Sequence, residues 1–226
     1  IVTLKSAKRF IFMLHQDQKT TWSKQYHKNQ TGVDLMMYQY NISFHDTMYT
    51  TKPTGEEIGI ISNHLVETKM DYRELASEVG EAGCSFCPAV YHGKRRAENF
   101  KSQQIIGLDF DNGVPFHIIQ QKAKRYHLKM LFAYKTFSHT AEHERFRVVF
   151  ALQHKITDSF TAKSIVSIFM KIFENCDEAC KDSARLFFGG KGLLHLASKP
   201  HEISLEEIIL AFTAYMFDKY GSKHYT

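Results

Sequence analysis

The sequence predicts an α+β protein built on an antiparallel sheet, and three observations carry that expectation. From residue 104 to 188, strand-like and helix-like segments follow in the order β-α-β-β-α-β, the split βαβ arrangement of ferredoxin-like (RRM-like) sheets. The first hundred residues mix short apolar runs with helical stripes. The 226 residues are 43% hydrophobic and carry no Gly/Ser linker, so the chain can bury a core that folds unaided.

The elements are read in chain order. Phe10 to Leu14 is a short apolar run of strand character. Thr54 to Met70 reads as one helix, with Ile58, Ile61, Leu65 and Val66 on a single stripe. Asp71 to Val79 continues as a second short helix, which Gly80 and Gly83 break. Gln104 to Asp111 is an apolar strand with a polar end, and Asn112-Gly113 signals a turn. Pro115 suits the first turn of a helix reaching about His127. Lys129 to Lys135 and Arg145 to Leu152 are the next two strands, joined by a polar loop with Ser138, His139 and Thr140. Asp158 can cap a helix running to about Glu174. Arg185 to Phe188 reads as the fourth strand, closed by Gly189-Gly190, with a further strand at Leu193 to Ala197. Ser204 to Glu207 forms a capping box that opens the last helix.

The stretch GLDFDNG places Asp109 and Asp111 at the end of the first of these sheet strands. Side chains alternate along a strand, so both carboxylates point to one face while Ile106, Leu108 and Phe110 point to the other. Two carboxylates so close repel each other unless a cation lies between them. Mg²⁺ commonly uses one or two protein carboxylates plus substrate phosphates, and paired ions can serve both the attacking and the leaving oxygen. A solvated turn explains a lone D-x-D equally well, because Asp and Asn favour turns. The neighbourhood adds chemistry: the Ser138-His139 hairpin, Arg145 and Arg147 on one strand face, and the stretch Cys176 to Lys191 with a further acid and two cations.

Taken together, IIGLDFD, TFSHT and CDEACKDSARLFFGGK resemble, in this order, the three motifs of the archaeo-eukaryotic primases, the primase-polymerase superfamily. YKTFSHTAEHERFRVVFAL followed by DSARLFFGG is most similar to the primase domains of plasmids, phages and other mobile elements, including CRISPR-associated relatives. The resemblance spans about residues 85 to 195. It implies that Asp109, Asp111 and Asp177 are catalytic and hold two Mg²⁺ or Mn²⁺ ions, with Asp182 the rival for the third place. It also implies that Ser138, His139, Arg147, Arg185 and Lys191 bind nucleotide. One departure is that Ser138 directly precedes His139, where the family has one residue between them. Arg95 and Arg96, in the basic cluster before the first catalytic strand, are candidates for template or nucleotide contact.

The implied activity is that of a DNA primase and DNA-directed polymerase, making and extending primers by template-dependent nucleotidyl transfer. Its partners would be single-stranded DNA template, primer and NTP or dNTP. The competing readings are a metal-dependent nuclease and a non-catalytic module binding single-stranded nucleic acid. By analogy with the family, the expected organisation is an N-terminal α/β module over 1–102 packed against the catalytic sheet, an RRM-like catalytic module over 103–200, and a C-terminal helix over 201–226 that could lead into a helicase or other domain. The formal charge of +5 permits a nucleic-acid partner without requiring one. No apolar run is long enough to span a membrane, and a cytoplasmic location is expected. The cysteine pairs Cys84/Cys87 and Cys176/Cys180 lie far apart in sequence; they read as reduced thiols, and zinc is not expected.

Overall fold

The computed structural model of the protein describes residues 38–221 and the backbone of two short strands before them. The strand expected at residues 10–14 lies outside the described residues. The chain divides into two compact units. One holds an antiparallel strand pair, β1 (His27–Lys28) and β2 (Asp34–Leu35). The other, Tyr38–Tyr215, carries the site and is described from here on.

That unit begins with β3 (Gln39–His45), whose Tyr40, Ile42 and Phe44 are buried. Helix α1 (Gly55–Asn63) opens on a capping box, in which the Thr54 N–H donates to Glu57 Oε2 at 2.6 Å. The helix expected to run on to Met70 stops at Asn63, and Val66–Asp71 is strand β4, antiparallel to β3. The stripe misled because only Ile61 of α1 is buried, whereas Val66 is 64% exposed on an edge strand. Helix α2 (Tyr72–Gly80) follows where the sequence predicts a second short helix, with the Asp71 side chain accepting the Arg73 N–H. It packs against the central sheet, so closely that a Cβ on Gly80 would sit 3.2 Å from Tyr134 Cβ. Strands β5 (Ser85–Cys87) and β6 (Ala89–Tyr91) then link two sheets: β5 pairs with β3, and β6 forms the edge of the central sheet.

The central sheet continues with β7 (Phe100–Phe110), β8 (Phe132–Thr136), β9 (Phe146–Ile156) and β10 (Gly190–Leu196), in the order β10-β8-β9-β7-β6, all antiparallel. A two-residue strand, β11 (Glu202–Ile203), runs parallel to β9 where β8 has ended. One sheet face is covered by α3 (Phe116–Arg125) and α4 (Ser159–Phe173). Phe110 and Phe116 pack on Phe146, and Phe150 packs on Phe169 and Phe173. Each buried ring contributes about 1.5–3 kcal/mol by leaving water. Asp158 caps α4 by accepting the Thr161 N–H at 2.6 Å, and Ser204 and Glu207 exchange hydrogen bonds at the start of α5 (Leu205–Tyr220).

The α+β class and the β-α-β-β-α-β order hold, with one correction. Arg185–Phe188 is not a strand; it touches β5 through a single bridge between Phe187 and Phe86, and the fourth strand is Gly190–Leu196. Gly190 opens it because a Cβ there would fall 1.9 Å from the Lys135 carbonyl oxygen. No helix among the described residues is long and apolar enough to cross a membrane.

Candidate active site

Strand β7 extends past its partner β6, whose pairing ends near Gln103. The backbone groups of Asp109 on that open edge are satisfied from elsewhere. Its carbonyl accepts the Asp177 N–H at 2.8 Å, and its N–H donates to Cys180 Sγ at 3.2 Å. Buried backbone groups need such partners, and this pairing carries the third motif to the first. Burial pushes the Cys180 thiol up to about 12, so it serves as an uncharged acceptor. Asp177 is the N-cap of the short 3₁₀ turn Glu178–Lys181, its Oδ1 accepting the Ala179 N–H at 3.0 Å.

The result is a cluster in which one carboxylate oxygen from each of Asp109, Asp111 and Asp177 lies within 4.8 Å of the others. The three differ in burial. Asp109 is 1% exposed, Asp177 half-buried and Asp111 exposed at the strand end. Partial desolvation raises the Asp111 carboxyl above its ordinary value. The Asp109 and Asp177 charges add to that, while Arg147 and Arg145 act the other way. Asp182, the rival third acid, lies outside the cluster; its Oδ1 accepts the Ala184 N–H at 2.9 Å in a local turn.

Two arginines offset the negative charge. Arg147, the cross-strand partner of Asp109, reaches its Oδ2 at 3.2 Å. It is 7% exposed, donates to the Phe188 carbonyl, and lies over the rings of Phe187 and Tyr134 at 5.5 and 5.9 Å. Burial opposes its charge, and Asp109 and Tyr134 outweigh that effect, so the guanidinium stays protonated. Arg185 Nη2 reaches the same Asp109 oxygen at 3.2 Å and Asp177 Oδ2 at 2.5 Å. Asp109 Oδ1 has no hydrogen-bond partner. A nearly buried carboxylate oxygen left bare, inside an all-oxygen donor set, fits a hard divalent cation such as Mg²⁺ or Mn²⁺.

Beside the cluster runs a groove lined by Lys52, Asp111, Thr136, Phe137, Ser138, Arg145, Arg147, Phe188 and Gly189. Ser138 is exposed there. His139 sits behind it, its Nδ1 lying 3.1 Å from both the backbone nitrogen and the carbonyl oxygen of Arg145. Lys191 is exposed at the start of β10 and forms no ion pair among the described residues. Arg147, expected at nucleotide, lines the groove with its guanidinium committed to Asp109 and Phe188. Arg95 and Arg96 stand apart from the carboxylates. Arg95 donates to the Ala184 carbonyl and, at 3.0 Å, to Ser62 Oγ, while Arg96 lies 3.9 Å from Glu98 at the surface.

Two residues went unread in the sequence. Lys52 reaches the groove from the loop before α1, and nothing local distinguishes it from any solvated lysine. His143 Nε2 lies 2.9 Å from the Asp111 carbonyl, and its ring packs under Gly113, whose φ of +79° makes the turn after β7. In the sequence it is one more histidine in a polar loop. Cys84 donates to the Asp46 carbonyl, Cys87 to that of Ser183, and Cys180 accepts from Asp109.

Fold and site together define an α+β sheet protein with an acidic, arginine-balanced centre suited to divalent metal. The family model described as the VapE N-terminal domain matches residues 59–190, and the chain belongs to that family. Among solved structures it is similar to the AEP domain of the primase-polymerase of Cyanophage S-2L. The two are 7% identical, the match covers 77% of this chain and 88% of that one, and the TM-score is 0.45. No curated protein matches the chain.

Proposed function

We propose that the chain is a DNA primase-polymerase, a nucleotidyltransferase that makes and extends primers on single-stranded DNA from NTP or dNTP. The single observation that carries this reading is the meeting of Asp109, Asp111 and Asp177 at one point, beside a groove with hydroxyl and cationic lining. Asp109, Asp111 and Asp177 would hold two Mg²⁺ or Mn²⁺ ions. Bound there, such ions supply Lewis-acid charge for phosphoryl chemistry.

The chain's own residues do the rest. Ser138, Arg145 and Lys52 face the groove and offer a hydroxyl and two cations to a triphosphate. His139, whose ring is held at Nδ1 by the Arg145 backbone, would offer its Nε2 side to a phosphate oxygen. Lys191 extends the positive rim. Positioning and charge neutralisation carry most of the catalysis in phosphoryl transfer. The reading places the protein in the cytoplasm, in replication of a mobile element or a CRISPR-linked process, alongside a helicase or other domain.

The test is primer synthesis and extension on a single-stranded template with Mg²⁺ or Mn²⁺. Asp109→Asn and Asp111→Asn are expected to lower product formation by about 10²–10³-fold or more while the fold persists by circular dichroism. Wild-type-like extension by both variants would overturn the proposal. Shortened strands in place of extended ones would identify a nuclease.

A further inference from the structure

Arg185 and Arg147 share one oxygen of Asp109, yet they are held in different ways. Arg147 is 7% exposed and anchored at both ends of its fork, to Asp109 and to the Phe188 carbonyl. Arg185 is freer, with its side chain 28% exposed. It meets both Asp109 Oδ2 and Asp177 Oδ2 through Nη2 alone, and its buried Nε has no partner. A guanidinium binds carboxylate best by two parallel N–H contacts, and Arg185 makes none of that kind. Its charge bridges two of the three carboxylates gathered in the acidic cluster, while Asp109 Oδ1 is left bare.

Resting on the metal-centre reading above, we propose that Arg185 is a competitor for the metal. In the metal-free protein its guanidinium neutralises Asp109 and Asp177; a divalent ion taking those oxygens displaces it. Without Arg185 the three carboxylates would be balanced by Arg147 and the nearby Arg145 alone, so Arg185 relieves their mutual repulsion before loading. Once displaced, Arg185 carries an unpaired charge next to the cation, where an anionic phosphate is its natural partner. Metal and nucleotide therefore favour one another's binding, because each relieves what the other leaves uncompensated. The pairing must be broken for loading; the incoming cation replaces the lost charge at the nearly buried Asp109, and Arg185, partly exposed, is held there through Nη2 alone.

The test is a calorimetric titration with Mn²⁺ alone, without nucleotide, on wild type, Arg185→Gln, Arg185→Lys and Asp177→Asn. Arg185→Gln is expected to bind Mn²⁺ about fivefold tighter than wild type or better, since the competing ion pair is gone. Arg185→Lys, which keeps a charge with a different reach, should fall between them and serves if the glutamine variant fails to fold. Asp177→Asn should bind more weakly than wild type. Equal or weaker Mn²⁺ affinity in both Arg185 variants overturns the competition while leaving the metal centre intact. Absence of Mn²⁺ binding in wild type and every variant overturns the centre itself and the competition with it.

Discussion

Asp109 and Asp111 lie two positions apart in the chain and differ in almost all of their exposure. Asp109 spends its charge on two arginines inside the protein, so its role begins with the fold. Asp111 lies outside with no ion pair among the described residues, and it feels the other two carboxylates. Its raised carboxyl has a calculable sign. The folded state disfavours the charged form, so above the titration of Asp111 the residue costs stability, and protonation on the acid side relieves that cost. Asp111→Asn should therefore melt higher than wild type at neutral pH without metal, and the gain should vanish as the pH falls through the Asp111 titration. Added Mn²⁺ should reverse the order, because only wild type retains the full donor set. Thermal melts across pH, with and without Mn²⁺, check both statements; a lower melting temperature for the metal-free variant at neutral pH would refute the first.

Among the elements, the segment between the 3₁₀ turn and β10 shows why a strand reading from residues 185–188 was reasonable and mistaken. Leu186 to Phe188 has strand composition, yet only Phe187 exchanges backbone hydrogen bonds, with Phe86, at 2.9 and 2.8 Å. The segment is shaped by what it must place: Arg185 inward, Phe187 against Gly107, and the Phe188 carbonyl toward Arg147 and the Tyr134 hydroxyl. Arg95 ties it from the other side through the Ala184 carbonyl and Ser62, and Cys87 adds a contact at Ser183. Arg95 thus positions Arg185 without touching it. Arg95→Ala should lower the melting temperature by about 3–6 °C, as a loss of about 1.5 kcal/mol does in a domain of this size. It should also weaken Mn²⁺-dependent nucleotide binding, which calorimetry would detect. Arg95→Lys should not restore either property, because one ammonium cannot serve Ser62 and Ala184 as the fork does. Full rescue by lysine would assign Arg95 a purely electrostatic part.

Over the whole molecule, the sheet face that carries the acids is less open than a ferredoxin-like order suggests. Helix α2, the β5–β6 segment and the 177–188 stretch cover it, leaving Tyr134 fully buried and Asp109 nearly so. What stays accessible is the groove at the strand end, with Lys52 and Arg145 on its walls. Cations that hold a nucleic-acid backbone release counterions, so single-stranded DNA affinity should fall with salt, with a slope of about −0.7 for each phosphate contacted. Lys52→Ala should reduce that slope by about 0.7 in anisotropy titrations; an unchanged slope would mean that Lys52 faces nucleotide alone or nothing. Much of this was legible beforehand. The caps at Asp158 and Ser204, the strand alternation that sets Asp109 and Asp111 on one face, and the order of the three motifs are local patterns, and local backbone geometry decides them. The placement of Asp177, and not Asp182, beside Asp109 and Asp111, the burial of Asp109, the hydrogen bonds of Arg95, the entry of Lys52 and the bridge made by Arg185 were decided by tertiary structure. They depend on an unpaired edge of β7 finding its hydrogen bonds in residues 177–180, and no periodicity in the chain records which distant segment will satisfy that edge.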